Sequence, residues 1–245
     1  MPRRNESLSL KGDATSVPLD FQSVTFGASL MAQLAVIAFS VYALAKSASG
    51  SETLATILTL ETAVQGVEFG WYALIGVLFL RRHSPGVEYR YFDWLITTPL
   101  MLVSLLLFLL YLNEECLKRD AIVTKQANFW TLVGVSVAAD WVMLASGLYF
   151  ERRKHPEFLL AGTAALVVAF VPHVIVLSDH FSGTGLAALL ATLVMWALYG
   201  VVAFAFRAPT PAAEKTKNGC YNVLDIFSKN VAGVVVSYCA LRAEC

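Results

Sequence analysis

The 245-residue chain is poor in charge: only 15% of its residues are Asp, Glu, Lys or Arg. A soluble globular protein carries about 25%, so there is too little charge here to cover a water-facing surface. Neither sign is in excess, because 18 basic residues meet 18 acidic ones. A nucleic-acid-binding protein normally shows a basic surplus, and none is expected to bind here. The four cysteines, Cys116, Cys220, Cys239 and Cys245, lack CxxC spacing and histidine partners. That pattern suggests neither a metal site nor a disulfide framework. Disorder is excluded by the 57% hydrophobic content. What the chain does have is long apolar runs, the mark of a membrane protein.

A spanning helix needs about 20 mainly apolar residues. Runs of this kind lie at Phe21 to Ala45, Trp94 to Asn113, Phe158 to Ser178 and Phe181 to Arg207. Three more contain ionisable residues: Thr53 to Leu80 with Glu61 and Glu68, Gln126 to Phe150 with Asp140, and Asn218 to Leu241 with Asp225 and Lys229. The expected fold is all-α, a seven-transmembrane helix bundle over residues 21–245 that follows a polar leader at residues 1–20. The leader is too polar for a signal peptide. Pro85-Gly86, the stretch from Glu114 to Asp120, Arg152-Arg153-Lys154 and Ala208 to Lys217 read as loops. Most Lys and Arg fall in the leader and after the second, fourth and sixth spans, which places the amino terminus in the cytoplasm by the positive-inside tendency. Lys46, Lys118, Arg119, Lys125 and Arg242 lie on the other side.

A charge at the bilayer centre costs about 2.5–3.5 kcal/mol on insertion scales, so ionisable residues within spans are functional candidates. Lys229 lies 12 residues into the last run, one turn after Asp225. The pair could simply fix helix packing. A buried amine with a movable pKa is also the group that forms a Schiff base with an aldehyde.

The third span opens Arg90-Tyr91-Phe92-Asp93-Trp94-Leu95-Ile96-Thr97-Thr98-Pro99. It resembles the RYxDWxxTTP signature of the microbial (type I) rhodopsins. Asp225-Ile226-Phe227-Ser228-Lys229 resembles their DxxxK retinal-attachment motif. Trp196 and Tyr199 match the family's WxxY, and Asp140, Met143 and Gly147 resemble its cluster beside the chromophore. The resemblance covers essentially the whole chain and implies a bacteriorhodopsin-like fold binding all-trans retinal on Lys229. It implies counterions Asp93 and Asp225 balanced by Arg90, and a pocket of Trp94, Thr98, Met101, Met143, Gly147, Trp196, Tyr199 and Ser228. It further implies a Thr98–Asp140 link between the third and fourth helices and an extracellular amino terminus, against the Lys and Arg distribution. Three positions depart from the family pattern: Gly200 and Ala203 in the sixth span, where proline and tryptophan are common, and Leu160 in the fifth, where tryptophan is expected.

Proton pumps of this family carry Asp-Thr-Asp or Asp-Thr-Glu along the third span; here the positions read Asp93, Thr97 and Ser104. A serine cannot act as an internal proton donor at neutral pH. Chloride- and sodium-pump patterns fail too. Glu61, Gln65 and Glu68 form one polar stripe on the second span, with Ser29 and Gln33 on the first and Asn230 after the lysine. These groups could stiffen the bundle by bonding one another, or line a hydrated path that favours cations. The combination is most similar to the viral rhodopsins of the light-gated channel group. A light-gated cation channel is therefore expected, rather than an enzyme. A weak outward proton pump, in which water or a second-helix glutamate replaces the donor, is the alternative. With no transducer helix expected, a photosensor comes third. The partners implied are the lipid bilayer, transported cations or protons, and open scope for a homo-oligomer.

Overall fold

A computed structural model describes residues 20–47, 52–80, 86–112, 128–179 and 182–242. Seven helices result: α1 Phe21–Ser47, α2 Glu52–Leu80, α3 Glu88–Tyr111, α4 Phe129–Arg153, α5 Pro156–Asp179, α6 Gly183–Ala205 and α7 Pro211–Arg242. Each is long and apolar enough to cross a membrane, so the chain is a multi-pass integral membrane protein built of helices. The surface is apolar: Met31 is 66% exposed, Trp130 73% and Val167 60%. With lipid as solvent this is the expected arrangement, because the backbone is satisfied within each helix and polar side chains turn inward.

Consecutive helices are neighbours, and α7 returns to pack on α1 and α2. α3 is the innermost, in contact with α2, α4, α5 and α6. Its apolar half, from Met101 to Leu110, anchors the largest buried cluster. Asp20 starts α1 by accepting hydrogen bonds at Oδ1 from the Ser23 amide (2.9 Å) and hydroxyl (2.7 Å), which hold its carboxyl below the usual carboxylate range. Pro99 leaves the Leu95 carbonyl of α3 without its helical donor. The indole of Trp141 on α4 donates to it at 3.3 Å.

Three expectations need correction. Arg152 and Arg153 form the last turn of α4 rather than a loop, which starts at Lys154. The stretch from Ala208 to Lys217 is not all loop. Thr210 caps a helix by accepting from the Ala213 amide at 3.2 Å, and α7 begins at Pro211. Lack of charge does not mark this stretch, because Glu214 and Lys215 face outward beyond the apolar part of the helix and Lys217 is buried against Glu151. Likewise α3 begins at Glu88, before the run that opens at Trp94, since Arg90 and Asp93 are interior. The leader up to residue 19, Pro85, the Glu114 stretch, Lys118, Arg119, Lys125, Cys116 and Cys245 lie outside the described residues.

Candidate functional site

The seventh helix changes pitch at its lysine. Ile226–Asn230 is a π-helical turn, closed by the Val231 amide donating to Ile226 O. Such widened turns cluster at functional sites, and this one presents Lys229, 2% exposed, to the bundle centre. Three carboxyl groups meet its Nζ. Asp93 Oδ2 accepts a hydrogen bond at 2.8 Å, Glu68 Oε1 lies at 3.5 Å and Asp225 Oδ1 at 3.9 Å. Arg90 does not pair with Asp93, one turn away on its own helix, but with Asp225 Oδ2 at 2.9 Å.

Around Arg90 a buried network ties α2, α3 and α7. Its Nη1 donates to the Tyr72 hydroxyl at 2.9 Å, Nε donates to Asn218 Oδ1 at 3.2 Å, and Nη2 bonds Asn222 Oδ1. Tyr72 donates to Asp225 Oδ2 at 2.6 Å, Tyr199 donates to Asp225 Oδ1 at 2.6 Å, and Ser228 Oγ is 2.9 Å from the Tyr199 hydroxyl. Buried charges are tolerable only when paired and hydrogen-bonded in this way. Composition alone hid Tyr72, Asn218 and Asn222, yet a positional signal existed. Tyr72 extends the Glu61, Gln65, Glu68 stripe by one turn, and Asn218, Asn222, Asp225 and Lys229 share a face of α7.

Beside Lys229 opens a cavity of about 450 Å³. Trp94, Thr98, Met101, Met143, Gly147, Trp196, Tyr199 and Ser228 all line it, as expected from the sequence. Gly147 matters for close approach: a Cβ there would sit 2.9 Å from the Tyr91 hydroxyl. Gly200 and Ala203 also line the cavity, but Leu160 does not; it is 71% exposed, and Leu159 takes the interior place. The helix phase decides this, since one residue turns a side chain by about 100°. Trp94 packs edge-on against Tyr199 (5.2 Å) and Tyr221 (5.5 Å), and Trp196 against Phe170 (5.5 Å). The Thr98 hydroxyl lies 2.7 Å from both Asp140 Oδ2 and Trp94 O, joining α3 to α4.

The second-span stripe is wholly interior: Gln65 and Glu68 have no exposed surface and Glu61 has 3%. Glu61 Oε1 accepts from the Ser104 hydroxyl of α3, and Gln33 Nε2 donates to Ser29 Oγ at 3.2 Å on α1. Among the described residues, most buried side-chain polar atoms without a hydrogen-bond partner belong to Gln33, Glu61, Gln65, Glu68, Asp93 and Asn230. They line the seam where α1, α2, α3 and α7 meet. No grouping that could hold a metal ion occurs among the described residues.

No curated protein matches the sequence significantly. Several solved structures match in fold. A viral rhodopsin, OLPVRII, aligns over 89% of this chain and 96% of its own at 21% identity and a TM-score of 0.72. Xanthorhodopsin, a light-driven ion pump with dual chromophore, aligns over 90% and 93% at 18% identity and a TM-score of 0.72. A blue light-absorbing proteorhodopsin from Med12 aligns over 91% and 98% at 21% identity and a TM-score of 0.67. Residues 20–243 match the bacteriorhodopsin-like protein family. With nearly all of its seven-helix bundle inside that match, the chain belongs to the bacteriorhodopsin-like family, whose members bind retinal.

Proposed function

We propose that this protein is a retinal-binding photoreceptor that acts as a light-gated cation channel, with all-trans retinal held on Lys229 Nζ. The residues present fit that group. The cavity is mostly apolar and aromatic, lies within the usual 300–1,000 Å³ range of ligand pockets, and ends on a buried amine bonded to Asp93. Trp94, Thr98, Met101, Met143, Gly147, Trp196, Tyr199 and Ser228 would form its walls. When bound, retinal supplies a light-driven change of shape beside a positive charge at Lys229. Asp93 is the nearest counterion; Asp225, already engaged by Arg90, Tyr72 and Tyr199, is the second. Thr98 and Asp140 hold α3 against α4 and would time the return to the resting state.

The observation that carries conduction is the file of buried polar atoms without a hydrogen-bond partner on Gln33, Glu61, Gln65, Glu68, Asp93 and Asn230. Buried polar groups normally find partners, and water or an ion supplies them where protein does not. Ser29 and Gln33 of α1 face the same seam, so seven side chains could exchange a cation's hydration water stepwise. Toward the start of α7 the Arg90 network crosses this seam and closes it. Disturbance at Lys229 acts directly on Asp93 and Glu68, and through Asp225 on Arg90. The amino terminus is assigned to the extracellular side, as the rhodopsin resemblance implies.

A proton pump is the second reading, favoured by one contact. Ser104 occupies the position where pumps carry a carboxylate, and Glu61 of α2 bonds to that very hydroxyl. Voltage-clamped photocurrents separate the readings. A current that reverses sign with voltage is expected; a current of one direction at all voltages makes the chain a pump, and pigment without current makes it a sensor.

A further inference from the structure

The lining of the cavity is not evenly sheltered. Among the described residues, every lining residue that is itself exposed lies on α5 or α6: Thr163 on α5, and Ala197, Val201 and Phe204 on α6. The last three fall at i, i+4 and i+7, a single stripe along one helix. Val201 is 59% exposed and Phe204 44%, whereas the lining contributed by α3, α4 and α7 is buried or half-buried. One glycine keeps this side open. A Cβ on Gly200 would meet only Leu159 Cδ1, at 3.8 Å, whereas Gly162, also in the lining, is turned toward Met143, Ser146 and Gly147 of α4. α5 packs closely along α4 but touches α6 sparingly. The cavity therefore has a lateral mouth between α5 and α6, at the level where both helices face hydrocarbon.

Its two ends are closed. Toward the start of α7 lie the Arg90 network and the buried Glu151, which accepts from Lys154 and Lys217 at 2.6 Å each. Toward the far end lie Leu102, Leu106 and Leu109, each 1% exposed. A ligand arriving from either end would have to break buried ion pairs, at several kcal/mol each, or part a close-packed core. An apolar polyene aldehyde dissolved in the bilayer meets neither obstacle at the side.

We propose that the α5–α6 mouth is the entrance through which retinal passes from the lipid to Lys229. This rests on the retinal reading above and adds the route. The test follows loading rather than photoactivity. Apoprotein made without retinal is placed in phosphatidylcholine vesicles, all-trans retinal is added in further vesicles, and the growth of visible absorbance is timed, each variant normalised to its own end point. Thr163→Trp and Val201→Trp should slow loading about tenfold or more, a barrier increase of about 1.4 kcal/mol. Leu160→Trp, on α5 but outside the lining, should load at the unsubstituted rate. Phe204→Ala widens the mouth and should load faster; it carries the test where a tryptophan variant does not fold. Unchanged rates in all mouth variants, or equal slowing by Leu160→Trp, overturn the route while leaving the retinal reading intact. Faster loading by Thr163→Trp overturns it too, since bulk added to the mouth cannot speed passage through it. If the unsubstituted chain forms no pigment, the retinal reading itself fails, and the route with it.

Discussion

At the scale of single residues, Lys229 is the only lysine held deep in a described span with carboxyl groups on three sides. Lys229→Ala should therefore give protein with no visible absorbance after retinal is added, and a surviving covalent pigment would remove the lysine from its role. The two aspartates should differ. Asp93 touches Nζ directly at 2.8 Å and has little else to hold it, so Asp93→Asn should shift absorption to the red while the protein still folds. Asp225 is bonded by Arg90, Tyr72 and Tyr199. Asp225→Asn leaves the Arg90 guanidinium buried without its ion-pair partner, a loss of about 3–5 kcal/mol, and should show first as low yield and a lower unfolding temperature. A colour shift in Asp225→Asn with none in Asp93→Asn would exchange their assignments. Thr98 and Asp140 meet at 2.7 Å beside the cavity and make no hydrogen bond to the amine. Thr98→Ala and Asp140→Asn should change the lifetime of the photocycle, read by flash spectroscopy, far more than the colour.

At the scale of elements, the clamp between α4 and α7 decides how the bundle is closed near the start of α7. Glu151 receives Lys217 and Lys154, and the Tyr221 hydroxyl approaches it at 3.4 Å. Lys217→Met leaves Glu151 with Lys154 and the Tyr221 hydroxyl alone and should destabilise the protein by about 1.5–3 kcal/mol, whereas Glu151→Gln together with Lys217→Met should recover much of the loss. Thermal unfolding of the two variants in detergent is the check; equal destabilisation would mean packing, not charge, holds the two helices. This clamp also marks where the sequence could and could not be read. Seven helices were legible because a lipid-facing helix needs about 20 apolar residues whatever its partners. Their ends were not, because the test for a span is lack of charge, and Arg90, Asp93 and Lys217 carry their charges inward against partners distant in sequence. Most pocket residues were legible from motif spacing. Leu160 lies one position from the residue that faces the cavity, and Tyr72, Asn218 and Asn222 stand out only by their register with the polar stripe of α2 and the Asp225–Lys229 face of α7, because a tyrosine or asparagine taken singly carries no mark of a site. The π turn at Ile226–Asn230 has no compositional mark at all, since it is chosen by how α7 packs on α1, α2 and α6.

For the molecule as a whole, the α2 stripe puts one carboxyl beside Lys229 and another well away from it. Glu61 and Glu68 are seven residues apart, about 10.5 Å along the axis at 1.5 Å per residue, and return to nearly the same face. The sequence alone suggests that both could be neutralised without touching the colour. The structure separates them. Glu68 lies 3.5 Å from Lys229 Nζ, inside the field that sets the chromophore's energy, while Glu61 is bonded to Ser104 on α3. Glu68→Gln should therefore change both the absorption maximum and the photocurrent. Glu61→Gln should leave the absorption maximum in place and reduce the current or move its reversal potential, because only the second station of the path is lost. Ser104→Ala frees the Glu61 carboxyl without removing it, so under the channel reading current should persist with altered selectivity. Under the pump reading Glu61 is the proton donor; Glu61→Gln would then slow the last step of the photocycle, and added azide, a diffusible proton carrier, would restore it. Patch-clamp recordings at several voltages, paired with absorption spectra of the same variants, distinguish the two. If Glu61→Gln and Glu68→Gln both keep full current and unchanged selectivity, the seam between α1, α2, α3 and α7 is a structural stripe, and conduction must be sought elsewhere in the bundle.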